Sequence, residues 1–334
     1  MKQWKLPNEA GIFGVLVVVF IILSLLSPTF FTVSNTFILL LNVTVIALLS
    51  LGQTFVLLTA GIDLSVGAGI ALSGVIAALG MQQGLSWVIS AALALLVTVL
   101  IGAFNGVVIH YLKVPAFIVT FATMGVASSI PLILTQAVPI AIINQSFAVI
   151  GQGFIGPVPV PVIILAVLAI AAYLILSRTV FGLHVYSVGG NRASARLAGV
   201  NTAKIDVLVY SISGLMSGIA GLVDASRLMS GYPTAGSGNS LFFSISAAVV
   251  GGVSLFGGVG TILGAIIGAL LIGTLSDGMN ILNVSSYWQP LVIGLIILLG
   301  VTFDTLRASQ REKRTFWKTL FMKIRGQNIT STEG

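Results

Sequence analysis

Apolar runs of about 20 residues recur from Ala10 nearly to the C-terminal end of the chain. Coiled into a helix, each is long enough to cross the roughly 30 Å hydrocarbon layer of a bilayer. The runs fall at roughly 11–27, 36–59, 64–83, 86–109, 116–135, 160–177, 206–228, 241–256, 259–275 and 287–306. The third, eighth and ninth are rich in glycine and read either as half-helices or as tightly bent spans. Of the 334 residues 57% are apolar and only 7% charged, and no interval between the runs is long enough to bury a core of its own. The fold class is therefore all-α: a polytopic transmembrane helical bundle of about ten segments with Gly-rich broken helices. Residues 1–306 read as one transmembrane domain and 307–334 as a basic tail. Lys2 and Lys5 ahead of the run Ala10–Leu26 resemble a signal peptide, but no small-x-small cleavage site follows and the run stops at Ser27-Pro28, so it reads as a retained first span.

Charge sets the orientation. With the N-terminus inside and one crossing per run, every Lys and Arg except Arg227 falls on the inner side, as cytoplasmic loops of membrane proteins require. Gaining or losing one crossing mid-chain would put the 178–205 loop and the tail on opposite sides. An even total with both termini cytoplasmic is therefore expected, although ten spans and eight spans plus a re-entrant pair fit equally. The net charge of +7 follows from this bias and is no sign of a nucleic-acid partner. The tail, RASQREKR followed by Phe316, Trp317 and Phe321, reads as an interfacial helix against anionic lipid.

Several chemistries are excluded or left without support. There is no cysteine, hence no disulfide, thiol chemistry or cysteine-bound metal. His110 and His184 stand isolated, without a second ligand at metal-binding spacing, and no cofactor is expected. No Gly-Lys-Ser/Thr occurs, so the chain holds no P-loop and hydrolyses no ATP by that route. Gly102-x-x-x-Gly106, Gly214-x-x-x-Gly218 and Gly264-x-x-x-Gly268 place small residues one turn apart, which speaks for close helix packing and not for substrate. Asp224 with Arg227 and Asp304 with Arg307 read as local pairs on one helix face.

Asp63 is a carboxylate deep in an apolar stretch with no basic residue near it in sequence. It reads as the N-cap of a helix beginning at Leu64, as part of a translocation path, or as an ion-coupling acid. Gly61–Leu72 aligns without gaps on Gly252–Leu263, pairing Asp63 with Ser254. An internal repeat with corresponding helix breaks is a common transporter feature. The remaining polar residues within the runs (Asn42, Gln53, Asn105, Thr120, Thr123, Ser128, Gln136 and Asn280) are uncharged hydrogen-bonding groups. They suit a neutral polyhydroxylated solute, and equally suit bonds from helix to helix.

The longest polar interval, Arg178–Lys204, carries four basic residues between two apolar runs. Gly189 and Gly190 can break a helix there and Asn191 can cap the next. Arg192-Ala193-Ser194-Ala195-Arg196-Leu197-Ala198 reads as a short amphipathic helix with both arginines on one face, and Gly199 as its stop. Such a helix can dock on a soluble partner or lie on lipid headgroups.

GIDLSVG at 61–67, PAFIVTFATM at 115–124, VYSVGGNRASARLAGV at 185–200, YPTAGSG at 232–238, GGVSLFGGVGTILGA at 251–265 and SSYWQ at 285–289 resemble the membrane permeases of ribose-type sugar ABC importers, from about residue 12 to 306. The resemblance implies a bacterial inner-membrane permease that pairs with a second permease subunit. A periplasmic sugar-binding protein would deliver solute, and a separate cytoplasmic ATPase would receive the coupling segment Gly189–Val200. One departure stands out: relatives often carry Glu-Leu-Asp after the PTAGxG motif, where this chain has Asn239-Ser240-Leu241 without an acid. Two rival functions remain, an ion-gradient carrier using Asp63 and a non-transporting scaffold.

Overall fold

The computed structural model describes residues 9–285, 287–296, 298–300 and 302. It is built from helices α1 (Glu9–Leu26), α2 (Val33–Leu58), α3 (Val66–Gln82), α4 (Trp87–Tyr111), α5 (Ala116–Thr135), α6 (Gln145–Gln152), α7 (Val160–Arg178), α8 (Val180–Gly190), α9 (Arg192–Leu197), α10 (Thr202–Leu228), α11 (Asn239–Val250) and α12 (Ile262–Ile281). Two short two-stranded ribbons, one pairing Ile140–Ala141 with Ser230–Gly231, complete it. Polar residues start the helices where the apolar runs begin: Thr32, Ser86, Asn201 and Thr261 each accept a hydrogen bond from the backbone N–H three residues on, pairing a donor the helix start leaves free.

Seven helices among the described residues are long and apolar enough to cross a membrane: α1, α2, α4, α5, α7, α10 and α12. Seven of the ten expected segments therefore reach that length as helices. The third and eighth runs form the shorter helices α3, of 17 residues, and α11, of 12. The tenth, Trp288–Gly300, runs over a position outside the described set, as do Lys2, Lys5, Asp304, Arg307 and the basic tail. The ninth run, expected to be bent, is instead the full-length helix α12. At about 1.5 Å per residue α11 is roughly 18 Å long, and irregular backbone at 251–261 follows it. Within it Gly251, Val253 and Ser254 are buried, while Gly252, Phe256, Val259 and Thr261 are exposed.

The proposed repeat holds only in outline. Each copy is a glycine-rich break leading into a helix, and Asp63 and Ser254 each accept from the backbone N–H two residues on. However, α3 starts at Val66, which aligns with Gly257, whereas α12 starts five positions later at Ile262. Gly252, Gly257, Gly258 and Gly260 have positive φ, and their aligned partners do not. The copies therefore differ in backbone conformation.

Helix α10 lies at the centre, packed on α2, α3 and α4. A Cβ on Gly106 would stand 2.5 Å from the Val207 Cα, one on Gly102 would overlap the Tyr210 carbonyl, and one on Gly214 would overlap that of Thr98. The two glycine pairs thus let α4 and α10 meet backbone to backbone. Gly264 and Gly268 do the same for α12 against Gly251 and Ala247. The outward faces carry Phe13, Val18, Leu25, Phe117, Phe121, Ile170 and Leu174, the lipid-facing surface of a multi-pass membrane protein.

Contacts sort the connections into two ends. At one, the Gly258 N–H donates to the Leu58 carbonyl (2.9 Å), Tyr186 to Gly260 (2.8 Å), Thr261 to Glu9 (2.8 Å), and Arg192 meets Asp206. At the other, Ile140 pairs with Gly231, Gln152 donates to the Arg227 carbonyl (3.0 Å) and Asn35 to Asp277 (2.8 Å). The start of α1 and the 178–205 segment therefore share an end.

Candidate functional site

The 178–205 segment is more ordered than a loop. Thr179 caps α8 through the Gly182 N–H. α8 extends to Gly190 and ends there, so the helix breaks at Asn191, directly after the glycine pair. Gly189 also serves close approach: its Cβ position overlaps the Leu58 carbonyl oxygen and lies 2.5 Å from the Gly258 nitrogen. Asn191 then caps α9 by accepting from the Ser194 N–H (2.9 Å). Gly199, at φ +84°, stops it, with the Gly199 N–H on Arg196 and the Val200 N–H on Ala195.

On α9, Ala195 is buried against the bundle while Ala193, Arg196 and Leu197 face outward, Leu197 being 90% exposed. The two arginines, expected to act together, have different surroundings. Arg192 forms a two-pronged ion pair with Asp206 of α10 (Nη1–Oδ2 2.6 Å, Nη2–Oδ1 2.9 Å), and these bonds push the guanidinium pKa further up. Arg196 has no ion-pair partner among the described residues. Nor is His110 isolated: its Nδ1 lies 2.7 Å from Asp206 Oδ2. No sequence pattern announces this cluster, because its three members come from three helices and Asp206 stands at the very start of the 206–228 run, beside the basic loop.

A second cluster surrounds Asp63, which is 1% exposed. It is not the N-cap; α3 starts two residues later than expected. Asp63 Oδ1 accepts from the Ser65 N–H (2.9 Å) and hydroxyl (2.6 Å), and Oδ2 accepts from Ser213 of α10 (2.7 Å). Gln53 of α2 donates to the Asp63 carbonyl, and Asn105 of α4 to the Ser65 hydroxyl (3.1 Å). The adjoining Ile62 carbonyl accepts from Tyr210 (3.2 Å) and Thr120 (3.4 Å). Four expected polar residues thus converge, along with Ser65, Ser213 and Tyr210, which the sequence reading passed over. Gln53 Oε1 and Asn105 Oδ1 are buried without a partner among the described residues. A small cavity nearby is lined by Ser65, Thr98, Ser217, Ile101 and Ala127.

The other candidates lie elsewhere. Asn42 accepts from Arg227 Nη1 (2.8 Å), and Arg227 acts on the expected partner Asp224 through its charge without a close ion pair among the described residues. Thr123 and Ser128 donate to carbonyls of their own helix. Gln136 ends α5 in the left-handed conformation, and Asn280 accepts from Gln289 (2.7 Å). No group of three or more His, Asp or Glu residues that could hold a metal occurs among the described residues.

The chain is thus a polytopic bundle that carries a short exposed helix between two spans, and comparison with known proteins specifies its kind. A family model described as branched-chain amino acid transport system / permease component matches residues 35–301. The chain belongs to this permease family. The permease is 40% identical over 307 residues to a ribose import permease protein of Haemophilus influenzae, covering 91% of this chain and 95% of the relative. It is 40% identical over 310 residues to the ribose import permease protein of Escherichia coli K12, with the same coverage. It is 38% identical over 308 residues to an L-arabinose ABC transporter permease protein of Azospirillum brasilense, covering 92% and 91%. No solved structure matches the permease significantly. The permease is a transport component, and its family is not one of enzymes.

Proposed function

We propose that this permease is the membrane subunit of an ATP-driven importer for a monosaccharide or similar polyhydroxylated solute. The observation that carries the reading is the near-complete coverage of permeases named for sugars: ribose, L-arabinose and D-allose. The family description names amino acids, but these relatives match over about nine-tenths of both chains and set the narrower class. The energy source is a separate cytoplasmic ATPase, because no phosphate-binding loop exists in this chain. A periplasmic binding protein supplies the solute, and a second permease subunit, identical or related, completes the pathway in the bacterial inner membrane.

In this reading Gly189, Gly190, Asn191, Arg192, Ala193, Arg196, Leu197 and Gly199 form the coupling region. The exposed Leu197 and Arg196 are its apolar and charged contacts with the ATPase. Gln53, Asp63, Asn105 and Thr120 hold α2, α3, α4, α5 and α10 together beside the path. The unpaired oxygens of Gln53 and Asn105 support a part for these two in bonding solute hydroxyls or water as the bundle opens. Asn42, Thr123 and Asn280, which lie apart from this cluster, are the remaining candidates for contact with the solute. Transport is then a shift between inward- and outward-open populations driven by the ATPase.

The decisive experiment measures uptake of radiolabelled ribose, arabinose and allose by cells expressing the whole importer. Uptake of one of them is expected to collapse on ATP depletion while the ion gradients are clamped. Uptake that follows the gradient instead returns the ion-driven carrier, and no uptake of any of the three overturns this sugar class. Orientation has its own check. Cysteines introduced at the exposed Ser194 and Ser237 are expected to react with impermeant maleimide from opposite sides, Ser194 from the cytoplasm with both termini. Reaction from one side overturns the topology.

A further inference from the structure

The short helix α9 has few means of holding its place. It is six residues long, one side chain, Ala195, is buried, and Leu197 stands almost fully in solvent. One strong contact ties it to the bundle: the fork of Arg192 on Asp206. Asp206 lies in the first turns of α10, its side chain 2% exposed, and the same Oδ2 that receives Arg192 also faces His110 in the last turn of α4. One buried carboxylate therefore touches three elements: the coupling helix, the central helix and the helix whose glycines pack directly onto that central helix.

We infer that Asp206, set between Arg192 and His110, is a positioning residue that ties α9 rigidly to α4 and α10, so that a displacement of the coupling helix is carried into the bundle through this ion pair. The physical case is stiffness and cost. A bidentate guanidinium–carboxylate pair fixes orientation as well as distance, and pulling Arg192 away would leave a buried carboxylate with a much reduced set of partners. α4 and α10 meet backbone to backbone at Gly102, Gly106 and Gly214, so they move as one body once α10 is pulled. α10 in turn carries Ser213 into the Asp63 cluster, seven residues or about two turns above Asp206. A path of direct bonds thus runs from α9 to the break between α2 and α3. The transmission role rests on the proposed ATP-driven reading; the tether itself does not.

Two measurements separate these claims. In the full-length permease in lipid nanodiscs, Arg192→Gln and Asp206→Asn are each expected to raise amide hydrogen exchange across α9 at least tenfold, the double variant no further, with Arg192→Lys in between. Unchanged exchange in Arg192→Gln overturns the tether, and this variant decides alone if Asp206→Asn fails to fold, because Arg192 lies at the surface. In proteoliposomes holding the permease, its ATPase and its binding protein, both variants are expected to lose sugar uptake at least tenfold, and Asp206→Asn, at a buried position outside the coupling region, is expected to do so while the ATPase stays bound and hydrolyses ATP. Uptake equal to wild type despite a loosened α9, or loss of the bound ATPase in Asp206→Asn, overturns transmission. A wild-type assembly that imports no sugar on ATP overturns the importer reading instead, and the exchange result still decides the tether.

Discussion

Gly189→Ala is expected to abolish uptake and to lower the unfolding midpoint in detergent by roughly 5–10 °C, the consequence of about 3 kcal/mol of overpacking. The added methyl would overlap the Leu58 carbonyl oxygen and press on the Gly258 nitrogen. Both are backbone atoms, and they are already bonded to each other, the Gly258 N–H donating to Leu58 at 2.9 Å. Rotamer changes cannot relieve such a clash. Either α8 backs away from the end of α2, or the hydrogen bond between α2 and the 251–261 segment breaks. Both outcomes dislodge the base on which α9, the proposed coupling helix, stands, since Asn191 and α9 follow directly. Gly190→Ala is the matched control, because its Cβ position has nothing within 4 Å. It is expected to leave the midpoint within about 1 °C and uptake near the wild-type level, as surface changes away from such contacts do. Equal midpoints for the two variants would remove Gly189 from the packing argument.

The residues show why some of this was readable from sequence and some was not. Helices set by a long apolar run behind a local start signal lie close to their expected positions: α5, following Pro115, coincides with its run at Ala116–Thr135, and α7, following Pro159, differs by one residue. The α9 helix was readable for the same reason. Asn191 and Gly199 are local signals, acting within a few residues through a side-chain cap and a positive φ. Hydropathy alone misjudged the glycine-rich runs. It scores composition, whereas the length of α11 is set by Gly251, Gly252 and the folded-back segment behind them. The two side-chain clusters were readable only in part. Asp63, Gln53, Asn105 and Thr120 stood out as polar groups in apolar sequence, but their convergence depends on how α2, α3, α4, α5 and α10 pack. Asp206 and His110 gave no sign at all, separated by 96 positions and brought together by the glycine seam between α4 and α10.

Asp63 provides the other large expected effect, and its two substitutions pull apart structure and charge. Asp63→Ala removes the acceptor for the Ser65 N–H, the Ser65 hydroxyl and the Ser213 hydroxyl at a site that is 1% exposed. Each buried donor left unpaired costs about 1–3 kcal/mol, partly recovered where a hydroxyl turns to another acceptor. A net loss of about 3–5 kcal/mol is expected, read as a fall in the unfolding midpoint and loss of folded protein in the membrane. Asp63→Asn keeps the shape. Its amide oxygen can still accept both bonds from Ser65, and its NH2 faces the Ser213 hydroxyl, which can rotate to become the acceptor. The expected cost is about 1 kcal/mol, with ATP-driven uptake retained within about threefold. The two rival mechanisms part here. A carboxylate whose partners are neutral donors from α3 and α10 serves to hold a helix break in place, and a neutral amide of the same size does that work nearly as well. A carboxylate that carries a coupling ion does not survive the change. Asp63→Asn protein that folds with a normal midpoint yet takes up no sugar would show that the charge itself is used in transport, and would move Asp63 from the frame of the path into the path.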